Sequence, residues 1–141
     1  MADLRVCDVM TRQVVYLSAE TMLDEAARVM RDTDIGDVVV TDGATLAGML
    51  TDRDIVVRAV ADRLDPAATP IGSVITREVV MIEQHATANE AASLMRERNI
   101  RRVLVCDTDR KLVGIVSLGD LAMQLDPTSA LSDISEAAPN M

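Results

Sequence analysis

Two seven-residue segments carry the side chains best suited to chemistry: Gly48-x-x-Thr51-x-x-Asp54 and Gly114-x-x-Ser117-x-x-Asp120. Each sets a hydroxyl three residues ahead of a carboxylate, where an apolar run gives way to a helical pattern. At that spacing the two groups can form a capping box, each accepting from the other's backbone N–H. The arrangement also suits a ligand. A helix N-terminus presents free N–H groups and a positive dipole end to a phosphate or sugar-phosphate edge. A first-turn carboxylate repels a phosphate but accepts hydrogen bonds from a ribose diol. Asp54 and Asp120 therefore read as ribose ligands, and Thr51 and Ser117 as hydroxyls near sugar or phosphate. Plain capping is the alternative for all four. Gly48 and Gly114 allow close backbone approach, to a ligand or at a tight crossing of strands.

A phosphate needs cations. Arg101 and Arg102 are adjacent at the start of one apolar run, where the corresponding earlier run begins with Gly36 and Asp37. Arg53 falls in the first turn after Thr51, and Arg12 and Arg77 stand at matching places. A solvated surface arginine is the alternative for each. Because one run starts basic and the other acidic, phosphate sites built on them are expected to differ in affinity. A base needs apolar walls, which Val14, Val15, Val38 and Val39 could form on one side and Val79, Val80, Val103 and Leu104 on the other. Ordinary sheet core is the competing role. Other chemistries find little support. His85 is the only histidine, and Cys7 and Cys106 form no CxxC pair, so no metal site is expected and the thiols read as small side chains in a reducing compartment. With no GxSxG segment and no Walker-type phosphate loop, no catalytic residue is assigned and the chain is not expected to be an enzyme.

The elements that hold these residues occur twice. Residues 9–42, shifted by 65 positions, match 14 of 34 identically, where chance would give roughly two. Val9-Met10-Thr11-Arg12 returns as Val74-Ile75-Thr76-Arg77, and Glu25-Ala26-Ala27 as Glu90-Ala91-Ala92. Beyond Asp42 and Asp107 the second copy gains a residue, so Gly48 pairs with Gly114, Thr51 with Ser117 and Asp54 with Asp120. Each copy predicts a strand (Val14 to Leu17, Val79 to Ile82) and then a helix. The helix carries the stripe Leu23, Ala26, Ala27, Met30 or Ala88, Ala91, Ala92, Met95. Thr21-x-x-Asp24 and Thr87-x-x-Glu90 are its candidate caps. Two buried strands follow around a polar turn, Asp37–Thr41 with Leu46–Leu50 and Arg102–Cys106 with Lys111–Val116. A closing helix starts at Thr51 or Ser117. Thr69 as cap and Pro70 as first residue would begin a one-turn helix, Ile71–Ile75, mirroring Val6–Met10. The order is β-α-β-β-α, twice. The divisions are residues 1–66, residues 67–126 and a loosely held tail at 127–141.

Composition narrows the partners. The net charge is −9, Trp and Phe are absent, and Tyr16 is the only aromatic residue. Nucleic-acid binders need clustered cations and stacking aromatics, so no DNA or RNA partner is expected. No apolar run reaches bilayer length and no leader pattern is legible, so no membrane partner and a cytoplasmic location are expected.

The doubled Gly-x-x-Thr/Ser-x-x-Asp segments, the leading Val-Met-Thr, the Glu-Ala-Ala with a Met three residues on, and the Thr-Asp-Arg-Asp-Ile of residues 51–55 resemble the CBS family, named for cystathionine β-synthase. The resemblance covers residues 4–126. Short pairs of this kind are similar to stand-alone bacterial stress- or hypoxia-associated CBS proteins. The resemblance implies an α/β (α+β) fold in which two repeats pack sheet to sheet about a pseudo-two-fold axis, leaving two clefts for AMP, ADP, ATP or a related adenosyl ligand such as S-adenosylmethionine. It adds Thr11 and Thr76 to the nucleotide-binding set named above. It also implies a homodimer through exposed helical faces, expected here to be rich in Ala and Met. No cofactor is required, the adenine nucleotide being a regulatory ligand, and a protein partner would read its binding. The family often carries a proline where Val39 and Leu104 stand here.

Overall fold

The structure, a computed structural model, describes residues 4–125; the expected tail at 127–141 lies outside the described residues. In chain order the elements are α1 (Val6–Val9), β1 (Tyr16–Ser18), α2 (Leu23–Thr33), β2 (Asp37–Asp42), β3 (Thr45–Thr51) and α3 (Asp52–Asp54), which runs on as a π-helical stretch, Ile55–Val60. A 3-10 turn, Ile71–Ser73, precedes β4 (Met81–Glu83), α4 (Ala88–Arg98), β5 (Arg102–Cys106), β6 (Leu112–Ser117) and α5 (Leu118–Leu125). The α/β reading and the doubled β-α-β-β-α order hold.

The chain divides into two compact units, and the division is not the one drawn by the repeat. One unit is Val15–Val79; the other joins the segment ending at Val14 to the chain from Val80. Each holds one three-stranded sheet, β1-β2-β3 or β4-β5-β6, with the first pair parallel and the second antiparallel. In the Val15–Val79 unit, Leu23, Ala26 and Met30 of α2 pack on Val38, Val40 and Leu50, and Ile71, Val74 and Ile75 complete that core. In the other, Ala88, Ala91 and Met95 of α4 pack on Val103, Val105 and Val116, with Val6 and Met10.

The segment leading into each sequence copy thus packs on the sheet of the other copy, and the hydrogen bonds repeat in step. Leu23 N–H donates to the Thr69 carbonyl and Ala88 N–H to the Leu4 carbonyl, both at 2.8 Å. Gly72 N–H donates to Ala19 and Cys7 N–H to Gln84, both at 3.0 Å. These carbonyls satisfy helix-start donors that otherwise need side-chain caps. Thr21 forms no box because α2 starts one residue later: its cap position is Met22, which has no side-chain oxygen to accept the bond. Thr87, which stands where the first copy has Met22, does form its box, Glu90 N–H to Thr87 Oγ1 at 3.1 Å and Thr87 N–H to Glu90 Oε1 at 3.3 Å. Thr69 is not a cap either. Its hydroxyl donates to the Asp65 carbonyl at 2.7 Å, and Pro70 holds the cap position.

Two strands begin later than the valine runs suggest. Val15 and Val80 contribute only a carbonyl each, to Val39 N–H at 2.8 Å and Leu104 N–H at 2.9 Å. The continuous ladder starts at Tyr16 and Met81. Both long helices end alike, on Asp34 (φ 55) and Asn99 (φ 54) in the left-handed conformation that short polar side chains tolerate.

Candidate functional site

At the end of β3, Thr51 is extended (φ −113, ψ 161) and caps α3. Its Oγ1 accepts from Asp54 N–H at 3.0 Å, while Asp54 Oδ2 accepts from Thr51 N–H at 2.9 Å. The end of β6 repeats this: Ser117 Oγ accepts from Asp120 N–H, and Asp120 Oδ2 from Ser117 N–H, both at 3.0 Å. Capping is therefore real in both copies.

Each box stands against a leader segment. Met49 and Thr76 exchange backbone bonds at 2.9 and 2.8 Å, as do Thr11 and Ile115 at 2.8 and 3.0 Å. The glycines make this possible. A Cβ on Gly48 would collide with the Thr76 carbonyl oxygen, and one on Gly114 would lie 2.8 Å from the Thr11 carbonyl oxygen and 2.7 Å from Met10 Sδ. Both glycines sit at tight crossings of backbone.

The two copies then diverge. Asp54 is only 6% exposed. The Thr76 hydroxyl donates to its Oδ1 at 2.9 Å and lies 3.1 Å from Oδ2, and Arg58 Nε approaches Oδ1 at 3.7 Å. Arg58 also donates to the Ile75 carbonyl at 3.0 Å. Asp120 is half-buried, and among the described residues its Oδ1 receives no hydrogen bond or ion pair; Thr11, the counterpart of Thr76, is exposed. Gln124 stands where the first copy has Arg58. Cross-strand neighbours differ too: Asp37 pairs with Thr51, and Arg102 with Ser117. Arg101 is exposed and its carbonyl accepts Leu118 N–H at 2.8 Å.

The remaining candidates scatter. Arg53 is exposed beside Asp52. Arg12 and Arg77 are structural, donating to the Cys7 carbonyl at 3.2 Å and the Gly72 carbonyl at 2.9 Å, where they close their leader turns. Val38 and Val103 belong to the helix-side cores. Val39 and Leu104 are fully buried on the opposite strand face, opposite Met49 and Ile115. Val14, Val15, Val79 and Val80 are half-buried and fall on either side of the unit divisions. Arg58 was not among the sequence candidates; its signal is the i, i+4 spacing from Asp54. Among the described residues no group of three His, Cys, Asp or Glu side chains could hold a metal. No helix there is long and apolar enough to cross a membrane.

Comparison with known proteins gives a consistent result. The CBS domain family matches residues 6–60 and 71–126. The CBS domain-containing protein YhcV of Bacillus subtilis is 39% identical over 134 residues, 92% of this chain and 94% of that protein. Hypoxic response protein 1 of Mycobacterium tuberculosis is 36% identical over 119 residues, 84% and 82% of the two chains. Among solved structures, the CBS domain pair of protein MJ0100, in complex with 5′-methylthioadenosine and S-adenosyl-L-methionine, superposes with a TM-score of 0.77 at 24% identity, covering 91% of this chain and all (100%) of that one.

Proposed function

The chain belongs to the CBS domain family, and from that premise we propose that it is a regulatory module sensing an adenine nucleotide or related adenosyl ligand. The observation that carries this is the carboxylate at the start of α5. Asp120 is held by its capping bond yet, among the described residues, keeps one oxygen for a ligand, and Ser117 beside it has Arg102 as its cross-strand neighbour. A ribose would take Asp120, and the phosphate would lie near Ser117, Arg101 or Arg102. A solved pair of this fold holding two adenosyl compounds supports the ligand class. The ligand acts as a regulator and not as a cofactor, in the cytoplasm, with no reaction of its own.

A thermal-shift screen tests the reading. A ligand that binds only the folded chain at a hundred times its dissociation constant adds about 2.7 kcal/mol of stability. AMP, ADP, ATP or S-adenosylmethionine is therefore expected to raise the melting temperature by several degrees while GTP does not. No shift with any of them, at concentrations up to millimolar, leaves the alternative: a structural or protein-interaction scaffold without nucleotide.

The expected homodimer needs a different face from the one the sequence suggested. Ala26, Met30, Ala91 and Met95 are buried in their own cores. The exposed apolar residues of the closing helices are Val56, Val57 and Val60 in the first copy and Leu118 and Met123 in the second. Patches of this kind mark association surfaces. Light scattering is expected to give a dimer, and Val57→Lys with Val60→Lys to give monomer. A wild-type monomer at high concentration would contradict the assembly.

A further inference from the structure

We propose that the two copies of the motif have parted company: Asp54 is a structural latch, and Asp120 alone takes the ligand, so each chain binds one nucleotide. The second half of this statement rests on the nucleotide reading above; the first does not.

The latch is built from three partners. Both Asp54 oxygens are used, by the Thr51 N–H, the Thr76 hydroxyl and the Arg58 guanidinium, and the carboxylate is buried. A buried carboxylate with its acceptor sites filled has little to offer a ribose, and a sugar could reach it only by displacing Thr76. Displacement would leave a charged group short of partners, which is costly in a buried site. The fastening has a structural purpose. Thr76 lies in the leader segment that crosses Gly48, and Arg58 binds the carbonyl of Ile75 next to it. Asp54 therefore ties the start of the closing helix to the segment that completes its own unit's core. The π-helical stretch Ile55–Val60 follows directly, and it carries Arg58. In the second copy the backbone bond from Ser117 N–H is kept, and among the described residues the other two partners are missing or altered. Gln124 replaces Arg58, Thr11 is exposed, and the following helix is α-helical. The charges run the same way: Asp37 beside Thr51 disfavours a phosphate, and Arg102 beside Ser117 favours one.

The test measures stability and binding separately. Without ligand, Thr76→Val and Asp54→Asn should each lower the melting temperature by roughly 5 °C, and the double variant should lose less than the sum, because both remove one interaction. Asp120→Asn should melt within about 2 °C of the wild type. Equal losses at Asp54 and Asp120, or full additivity, would overturn the latch. Titration calorimetry with ATP and AMP should give one site per chain, an unchanged affinity in Arg58→Gln and roughly tenfold weaker binding in Asp120→Asn. Two sites per chain, or a loss in Arg58→Gln matching that in Asp120→Asn, would overturn the single-site assignment. If the wild type binds neither nucleotide, the proposed function fails, while the latch still stands or falls on the melting data.

Discussion

Replacing Gly48 by valine is expected to lower the melting temperature by about 10 °C or more. A Cβ at this position collides with the Thr76 carbonyl oxygen and comes within 3.1 Å of its carbon and 3.2 Å of Arg77 Cα. The obstacle is backbone, and two hydrogen bonds to Met49 hold it in place. It cannot give way as the end of a flexible side chain can. Overpacking costs about 1–3 kcal/mol, and occasionally more. Pushing Thr76 aside also breaks its bridge to Met49 and its bond to Asp54, so the upper end applies. In a chain of this size about 1 kcal/mol shifts the midpoint by roughly 3–5 °C. Gly119→Ala is the control. Among the described residues, beyond its chain neighbours and its own helix backbone, only Ser117 Oγ, at 3.8 Å, lies within 4 Å of its added Cβ, and the position is helical. Alanine there should match or raise stability, by about 0.5–1 kcal/mol. Scanning calorimetry of the two variants decides the matter; a Gly48→Val melt within about 2 °C of wild type would mean that the crossing is not as close as described.

The other large effect concerns binding. Asp120→Ala should weaken an adenine nucleotide by ten- to a hundredfold, because a hydrogen bond to a charged group is worth about 1.5–3 kcal/mol. The substitution also removes half of the Ser117 capping box, at a cost on the order of 1 kcal/mol of stability. Asp120→Asn separates the two effects, since it keeps an acceptor and some capping but not the charge. Titration on variants shown to be folded gives the affinity directly. If Asp120→Ala binds as tightly as the wild type, the ribose is elsewhere and Asp54 becomes the residue to test.

The fold was largely legible because it is written twice. The stripe Leu23, Ala26, Met30 and its echo Ala88, Ala91, Met95 mark the buried helix faces, and both hairpins lie within a residue or so of where their polar turns put them. The capping boxes at Thr51 and Ser117 also formed as their spacing suggests. What failed depended on a one-residue shift, on a local turn or on a distant segment. Thr21 looks like a cap, but its helix starts one residue later and Met22 holds the cap position. Arg12 and Arg77 look like phosphate ligands because they recur, yet they recur because each closes the same turn. The unequal fates of Asp54 and Asp120 hang on Thr76 and Arg58, and nothing in the local sequence says that a hydroxyl 22 residues away will reach that carboxylate. Periodicity reports which face of an element is buried; it does not report which segment covers it.

The exchange of leader segments also imposes an order on synthesis. The Val15–Val79 unit is complete once Val79 has been made, since its sheet, helix and covering turn all lie behind that point. Val6 and Met10, by contrast, must wait for Ile115 and Leu121 before they can be buried. At roughly 5–20 residues per second, a ribosome takes about 2–8 s to go from Val79 to Leu121. For that time an apolar stub trails a unit that is already folded. It is the part of the nascent chain most open to capture by a chaperone or by the matching stub of a neighbouring polypeptide.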